Sequence, residues 1–248
     1  MNVRPYRDSD AAAWDAYVAS HPKGTFAHRI GWKRVFEEAF GHKAFYLVAE
    51  GEGEGGTIQG VFPLFSIKSL LFGRSMVSVP FLTYGGILAE DDTVRDALFR
   101  VAADITAEEK LDYLEIRNEA DSLKGLPIKD LYYGFKREIS QSDEENLKAI
   151  PRKSRRMVRQ AMGKELNARF GGKDLLDTFY ELFAFNYRSL GTPVFPKRYL
   201  GAVLEEFEDA SSVLVIEKEG RPLSSVLSLY FRDQVIPYYS GAVPEARK

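Results

Sequence analysis

The chain has no cysteine and only three histidines among 248 residues. Without cysteine there can be no disulfide, no thiolate metal site and no cysteine acyl-enzyme. The histidines, His21, His28 and His42, all lie in the first 42 positions, and their spacing matches no metal motif such as H-E-x-x-H. No G-x-S-x-G elbow is present, which excludes a serine nucleophile of that kind. No stretch approaches the roughly 18 consecutive apolar residues of a membrane-spanning helix. The opening MNVRPYRDSD holds no apolar run of the signal-peptide type. These absences lead to the expectation of a cytoplasmic chain with no metal and no tightly bound cofactor.

What is present is a large apolar inventory. Hydrophobic residues make up 45% of the chain, including 17 Phe and 13 Tyr, enough for one large domain or two of ordinary size. The net charge is only −2, but it is unevenly spread. Residues 151 to 173 hold eight basic side chains and one acid, so the remainder of the chain is acidic. Within that stretch Pro151 suits the first position of a helix. Ile150, Met157, Val158, Ala161 and Met162 recur near a 3.6 period, while Arg152, Arg155, Arg156 and Arg159 fall on the opposite face and Lys153 beside them. Like charges at helical spacing repel, so a cluster this dense without acids points to an anionic partner such as phosphate. An ordinary solvated face is the plainer alternative.

The rest of the chain reads as a mixed α/β layer fold. Residues 2 to 6 suit a short strand, and Asp8, Ser9 and Asp10 can cap a helix carrying Trp14, Tyr17 and Val18. Trp32, Val35, Phe36, Ala39 and Phe40 mark a second helix that Gly41 ends. On that stripe Trp32 belongs in the core. AFYLVAE (44 to 50) and TIQGVFPLFSI (57 to 67) read as a hairpin around GEGEGG, which lacks the Gly-Lys-Ser/Thr ending of a phosphate loop. A strand over 75 to 79, a helix over about 93 to 106, and strands at LDYLEI (111 to 116) and LYYGFKREI (131 to 139) complete a first unit, residues 1 to 140.

A second unit, residues 141 to 248, opens with the basic helix at about 151 to 165. It then repeats the order: two helices, a strand SVLVIE, a turn KEGRP, a strand SSVLSLYF, and a last strand QVIPYYSG. No counterpart of the helix at 93 to 106 follows, so the second unit reads as incomplete. That leaves an exposed sheet edge at Gln234 to Ser240, through which copies could pair into oligomers.

The segments FAHRIGWKRVFEEAFGHK, PFLTYGGI, IPRKSRRMVRQA and NYRSLGTPVFPKRYL, in this order, resemble the Fem family of nonribosomal peptidyl transferases, whose fold is related to the GNAT acyltransferases. The likeness is to the FemAB-like proteins associated with exopolysaccharide and protein-sorting gene clusters. It implies tandem GNAT-like domains, the second incomplete here. It also implies transfer of an acyl or aminoacyl group to an amine of a peptidoglycan or exopolysaccharide precursor in cell-envelope biogenesis. The donor would be aminoacyl-tRNA or acyl-CoA, and the partners an anionic envelope precursor and tRNA. The chain shows no Q/R-x-x-G-x-G/A pyrophosphate loop, which disfavours CoA.

Acyl transfer to an amine needs aligned reactants, a sink for oxyanion charge and a base, but no covalent intermediate. No catalytic residue stands out. Four groups are candidates for binding substrate. The first is the basic cluster Arg152, Lys153, Arg155, Arg156 and Arg159. His28, one turn before Trp32, could point from that helix face into a cleft. Tyr84, Gly85 and Gly86 lie between a strand and a helix, where open α/β folds bind ligands, although a tight turn explains the glycines equally well. Tyr187 and Arg188 with Thr192 and Lys197, around Gly191, form a polar loop that the resemblance makes a substrate loop. Two other classes stay open: an inactive GNAT-like binding or regulatory protein, and a nucleic-acid-binding protein that uses the basic helix alone.

Overall fold

Alternating burial in the strands and one-sided burial in the helices build three small sheets around two cores. The computed structural model describes residues 1 to 248 except 52–55, 70–72, 120–122, 130, 132 and 248. Strand β1 (Asn2–Pro5) leads into helices α1 (Ala11–Ser20) and α2 (Gly31–Phe40). Strands β2 (Lys43–Ala44), β3 (Leu47–Glu50), β4 (Ile58–Phe62), β5 (Phe65–Ser69), β6 (Gly73–Val77) and β7 (Leu88–Ala89) follow. Helix α3 (Asp92–Glu108) and strand β8 (Tyr113–Glu115) close the first half. The second half runs α4 (Asp143–Ala149), α5 (Arg152–Met162), β9 (Asn167–Gly171), α6 (Leu176–Ser189), α7 (Lys197–Glu206), β10 (Ser211–Lys218), β11 (Arg221–Phe231) and β12 (Gln234–Ala242).

The sheets are ordered β1-β3-β4-β7, β2-β5-β6-β8 and β12-β11-β10-β9. All described pairs are antiparallel except β6 with β8. The first sheet lies between both cores because its side chains alternate. Leu47, Ala49 and Phe62 face Val94, Leu98 and Ala102 of α3, whereas Val48 and Val61 face Trp14, Val18 and the aromatic core. Asp91 accepts the N–H of Val94 at 2.9 Å and starts α3 as expected. Gly41, at φ 70°, ends α2. The hairpin of β10 and β11 turns on Glu219 and Gly220, both at positive φ, the pairing geometry of a two-residue loop.

The larger core is shared between the halves. Helix α2 packs on α7, its counterpart in the repeated order of helix, helix and hairpin. Phe207 lies 4.8 Å from Phe26 and 4.9 Å from Trp32, centroid to centroid, and Tyr199 stacks 5.9 Å from Phe36. Gly31 allows this approach, since a Cβ there would come within 2.7 Å of the Phe207 ring and the Glu206 carboxylate. Polar ties surround the rings. The Arg198 Nε donates to the Ala39 carbonyl at 2.8 Å, and the Arg232 guanidinium to the carbonyls of Val18 and His21 at 2.7 and 2.6 Å.

Several expected boundaries move. The stretch 57 to 67 is two strands in two sheets, because Pro63 has no N–H to continue a ladder; 44 to 50 breaks the same way between β2 and β3. The hairpin around GEGEGG is present as the β3–β4 pair, but residues 52–55 of its turn lie outside the described residues. The expected strand at 131 to 139 does not form: residues 131 and 133–139 have no strand partner, and Tyr133 and Phe135 are exposed, while residue 132 lies outside the described set. Pro151 is the residue before the helix rather than its first turn. The basic helix stops at Met162, not 165, and β9 follows as an edge strand that the sequence reading did not separate.

If the ring stack carries the joint, Phe207→Ala should lower unfolding free energy by about 3–5 kcal/mol, the range for a buried Phe truncation. Phe170→Ala, at a 72% exposed position, should stay within about 0.5 kcal/mol. Urea midpoints for the two variants check both values, and equal shifts would remove the ring stack from the account.

Candidate functional site

The parallel strands β6 and β8 end side by side at Val77 and Glu115, and the chain leaves them through residues 78 to 86 and 116 to 118. The carboxyl ends of parallel strands are where α/β folds bind ligands. Ser78 locks the two exits together: its N–H donates to the Glu115 carbonyl at 2.9 Å, and its hydroxyl accepts the Arg117 N–H at 2.8 Å. The Arg117 guanidinium then donates to the Leu82 carbonyl at 2.9 Å and pairs with Glu115 at 2.8 Å.

The loop between these anchors is strained. Val79, Phe81 and Tyr84 all have positive φ, at 42°, 65° and 59°, a conformation that non-glycine residues hold only when their surroundings impose it. Those surroundings come from both halves of the chain. On one side the Thr25 hydroxyl donates to the Tyr84 carbonyl at 2.9 Å. His28 Nε2 donates to the Gly86 carbonyl at 3.2 Å, and its Nδ1 accepts the Thr25 N–H at 3.2 Å. On the other side the Tyr238 hydroxyl of β12 donates to the Phe81 carbonyl at 3.2 Å and also bonds Thr83. Burial pushes the Tyr238 phenol above its ordinary pKa, keeping it protonated as a donor. Phe81 itself sits among Phe36, Phe40 and Phe195.

Gly85 and Gly86 are small for a reason of space. A Cβ on Gly85 would lie 2.6 Å from Val79, and one on Gly86 would lie 1.9 Å from the Asn118 Oδ1. The N–H groups of Tyr84, Gly85 and Gly86 meet no acceptor among the described residues. They are backbone donors of the kind that stabilise a developing oxyanion. Gly134 approaches the Tyr84 hydroxyl so closely that a Cβ would lie 2.2 Å from it, and the Lys136 ammonium lies 5.9 Å from the Tyr84 ring centre. The apolar stretch expected as a strand is therefore laid against this loop.

The structure brings His28, Tyr84, Gly85 and Gly86 together. His28 is buried and bonded at both ring nitrogens, so it braces the loop instead of facing an open cleft. Tyr187, half-buried at the end of α6, packs 4.1 Å from Phe183. Its carbonyl accepts the Thr192 N–H at 3.0 Å. Arg188, Thr192 and Lys197 are exposed, and Lys197 pairs with Asp177 at 2.5 Å. The basic cluster stands apart. No hydrogen bond, ion pair or ring contact joins Arg152, Lys153, Arg155, Arg156 or Arg159 to residues 79 to 86 among the described residues. Thr25, Arg117 and Tyr238, which hold the loop, carried no signal in the sequence, since the partners they hold there lie between 35 and 157 positions away. Among the described residues no cluster of metal-ligating side chains occurs, and no helix is long and apolar enough to cross a membrane.

Residues 146–248 match the family model of the acetyltransferase (GNAT) domain. The structure of FemX is similar to the whole chain, covering 100% of it and 82% of its own length at a TM-score of 0.69 and 16% identity. A conserved protein of unknown function from Bacteroides thetaiotaomicron VPI-5482 covers 93% of the chain and 76% of its own length, at a TM-score of 0.50 and 11% identity. No curated protein matches the sequence. The fold is thus a Fem-like GNAT fold, mixed α/β with helices on the sheets.

His28 gives the loop a pH signature. Burial lowers its pKa to about 4, against about 6.5 when unfolded. Between these values the unfolded chain binds a proton that the folded chain does not, so the stability is fully present above pH 6.5 and is lost as pH falls toward 4. Burial moves His21 and His42 in the same direction, and Asp15 and Glu206, pushed up by burial, in the opposing one. Replacing His28 with Asn should therefore flatten the stability–pH slope in this window by up to about 1.4 kcal/mol per pH unit. Urea unfolding at pH 4.5, 5.5 and 6.5 reads the slope (about one unit of spacing suffices), and an unchanged slope would mean that His28 does not titrate with unfolding.

Proposed function

We propose that the chain transfers an acyl or aminoacyl group to an amine of an anionic cell-envelope precursor, peptidoglycan or exopolysaccharide in kind. The observation that carries this reading is the match of residues 146–248 to the acetyltransferase (GNAT) domain. The fold shared with FemX over the whole chain and the loop at residues 79–86 support it. The donor is aminoacyl-tRNA or acyl-CoA, as the family resemblance implies.

The reaction is a direct displacement. The acceptor amine attacks the donor carbonyl, a C–N bond forms, and the C–O bond of an aminoacyl ester or the C–S bond of a thioester breaks. The amine loses a proton to a base, and the leaving alcohol or thiol gains one. No covalent enzyme intermediate is needed, which suits a chain without cysteine. The part assigned to this chain's own residues is positional. The unpaired N–H groups at Tyr84, Gly85 and Gly86 supply donors for the oxyanion, and a loop fixed from both halves holds them in place before the substrate arrives. Losing one such donor in other acyl-transfer enzymes costs about a hundredfold or more in rate.

The test is a transfer assay with radiolabelled aminoacyl-tRNA and, separately, acyl-CoA, each offered to an amine-bearing nucleotide-linked muropeptide. Label should reach the acceptor from one donor. Gly86→Val, which forces a side chain into Asn118, should reduce the rate at least tenfold while far-UV dichroism stays native. Absence of transfer from both donors in the unaltered chain would contradict the proposal, as would full activity in a folded Gly86→Val variant.

A further inference from the structure

Helix α5 is amphipathic, yet it is exposed along its length except at Arg155, which is half-buried with its Nε enclosed and unpartnered. None of its residues is buried. Met157, Val158 and Met162 are 63%, 39% and 76% exposed, so the apolar stripe that would ordinarily turn toward a core faces solvent. Opposite it, Arg152, Lys153, Arg155, Arg156 and Arg159 make no ion pair among the described residues. Many arginines elsewhere in the molecule are held by partners. Arg4, Arg34, Arg95, Arg117 and Arg169 are all paired with carboxylates, and Arg198 and Arg232 are bonded to carbonyls. Five cations without an ion pair, clustered at one place in a chain of net charge −2, and an uncovered apolar stripe beside them are two independent observations.

We propose that α5 docks the protein onto an anionic lipid surface, with Met157, Val158 and Met162 entering the headgroup–acyl boundary and the basic side chains meeting lipid phosphates. This goes beyond the transfer reaction and does not rest on it. A helix with one apolar and one strongly basic face is the pattern that lies in the plane of a membrane interface. Long basic side chains reach back to the headgroups from the flanks of such a helix, their stems covering apolar surface. The whole helix, about 10–12 Å across with its side chains, lies within roughly one Debye length of the surface. An RNA backbone would satisfy the cations but leave the methionines and Val158 in water. A second copy of the chain could cover the apolar stripe, but it would bring two strongly basic segments against each other. Only an anionic surface with an apolar interior uses both faces.

The experiment is co-sedimentation of the full chain with vesicles of phosphatidylcholine alone and of phosphatidylcholine with phosphatidylglycerol. Binding should appear only with phosphatidylglycerol and should weaken as salt is raised. Arg155→Gln and Arg156→Gln should each lower partitioning about fivefold, the equivalent of about 1 kcal/mol for one basic residue near an anionic surface. Met157→Gln combined with Met162→Gln leaves the charge unchanged and should bring binding close to the neutral-vesicle level. Val158→Trp keeps every charge and gives an independent readout. Trp14 and Trp32 are fully buried, so a blue shift on adding vesicles reports the new indole entering the interface. Equal binding to both vesicle types, binding to neither, or an unshifted indole would overturn the proposal. So would salt-sensitive capture of bulk tRNA that survives the methionine substitutions while vesicles stay unbound, because that outcome assigns α5 to nucleic acid.

Discussion

The contact between α2 and α7 is the constraint on which the rest of the structure depends. Trp32 and Phe36 pack on Phe26 and Phe65 of their own half and complete their core against Phe207 and Tyr199 of the second. Trp32, Phe36, Phe207 and Tyr199 are each 0% or 1% exposed. Buried aromatics carry the largest apolar area per residue and add about 0.5–1.5 kcal/mol per well-placed pair beyond that area. The surrounding ties, Arg198 to Ala39 and Arg232 to Val18 and His21, fix the angle at which the rings meet. Once that angle is set, Phe195 comes against Phe81 and Tyr238 reaches the Phe81 carbonyl. The strained loop is thus a consequence of the joint. Without the second half, its positive-φ residues would lack the contacts that Tyr238 and Phe195 supply.

Electrostatics divides the chain into two regimes. Around the joint, charge is spent on structure: Arg34 spans Glu38 and Glu206, and Arg29 lies 5.1 Å over the Phe207 ring. On α5 charge is held in reserve, with cations at helical spacing and no acids between them, an arrangement that costs the isolated helix a few tenths of a kcal/mol for each like pair. A transferase whose acceptor is an envelope precursor would gain from a basic surface that holds it where such precursors are gathered.

Much of this was legible in the sequence where periodicity was strong. Helices α2, α3, α6 and α7 follow their apolar stripes because each stripe faces a core. The mixed α/β architecture followed from the order of helices and hairpins, and its GNAT-like character from the family resemblance. Alternation misled at 131 to 139: Leu131, Tyr133 and Phe135 alternate as a strand should, but a strand needs a partner strand, and the described residues of this stretch have none. The same lack of a local signature hid β9, whose residues are mostly exposed at a sheet edge. At the candidate site Tyr84, Gly85 and Gly86 were visible as a loop, and His28 as a residue facing something. What they face was hidden, because Thr25, Arg117 and Tyr238 reach the loop through tertiary packing that no spacing encodes. The exposure of the α5 stripe was not legible either, since a periodic stripe says that a face is apolar and nothing about what covers it.

The central claim is that the joint makes the two halves one cooperative structure. Both tryptophans, Trp14 and Trp32, lie in the first half, whereas helices α6 and α7 and the long strands β10 to β12 lie in the second. Urea unfolding followed at once by tryptophan fluorescence and by far-UV dichroism therefore watches the first half and the whole chain separately. The account predicts coincident transitions with one midpoint and one slope. Two separated transitions, with dichroism persisting after the tryptophans are exposed, would show that the halves fold independently and that the loop is not held by their joint.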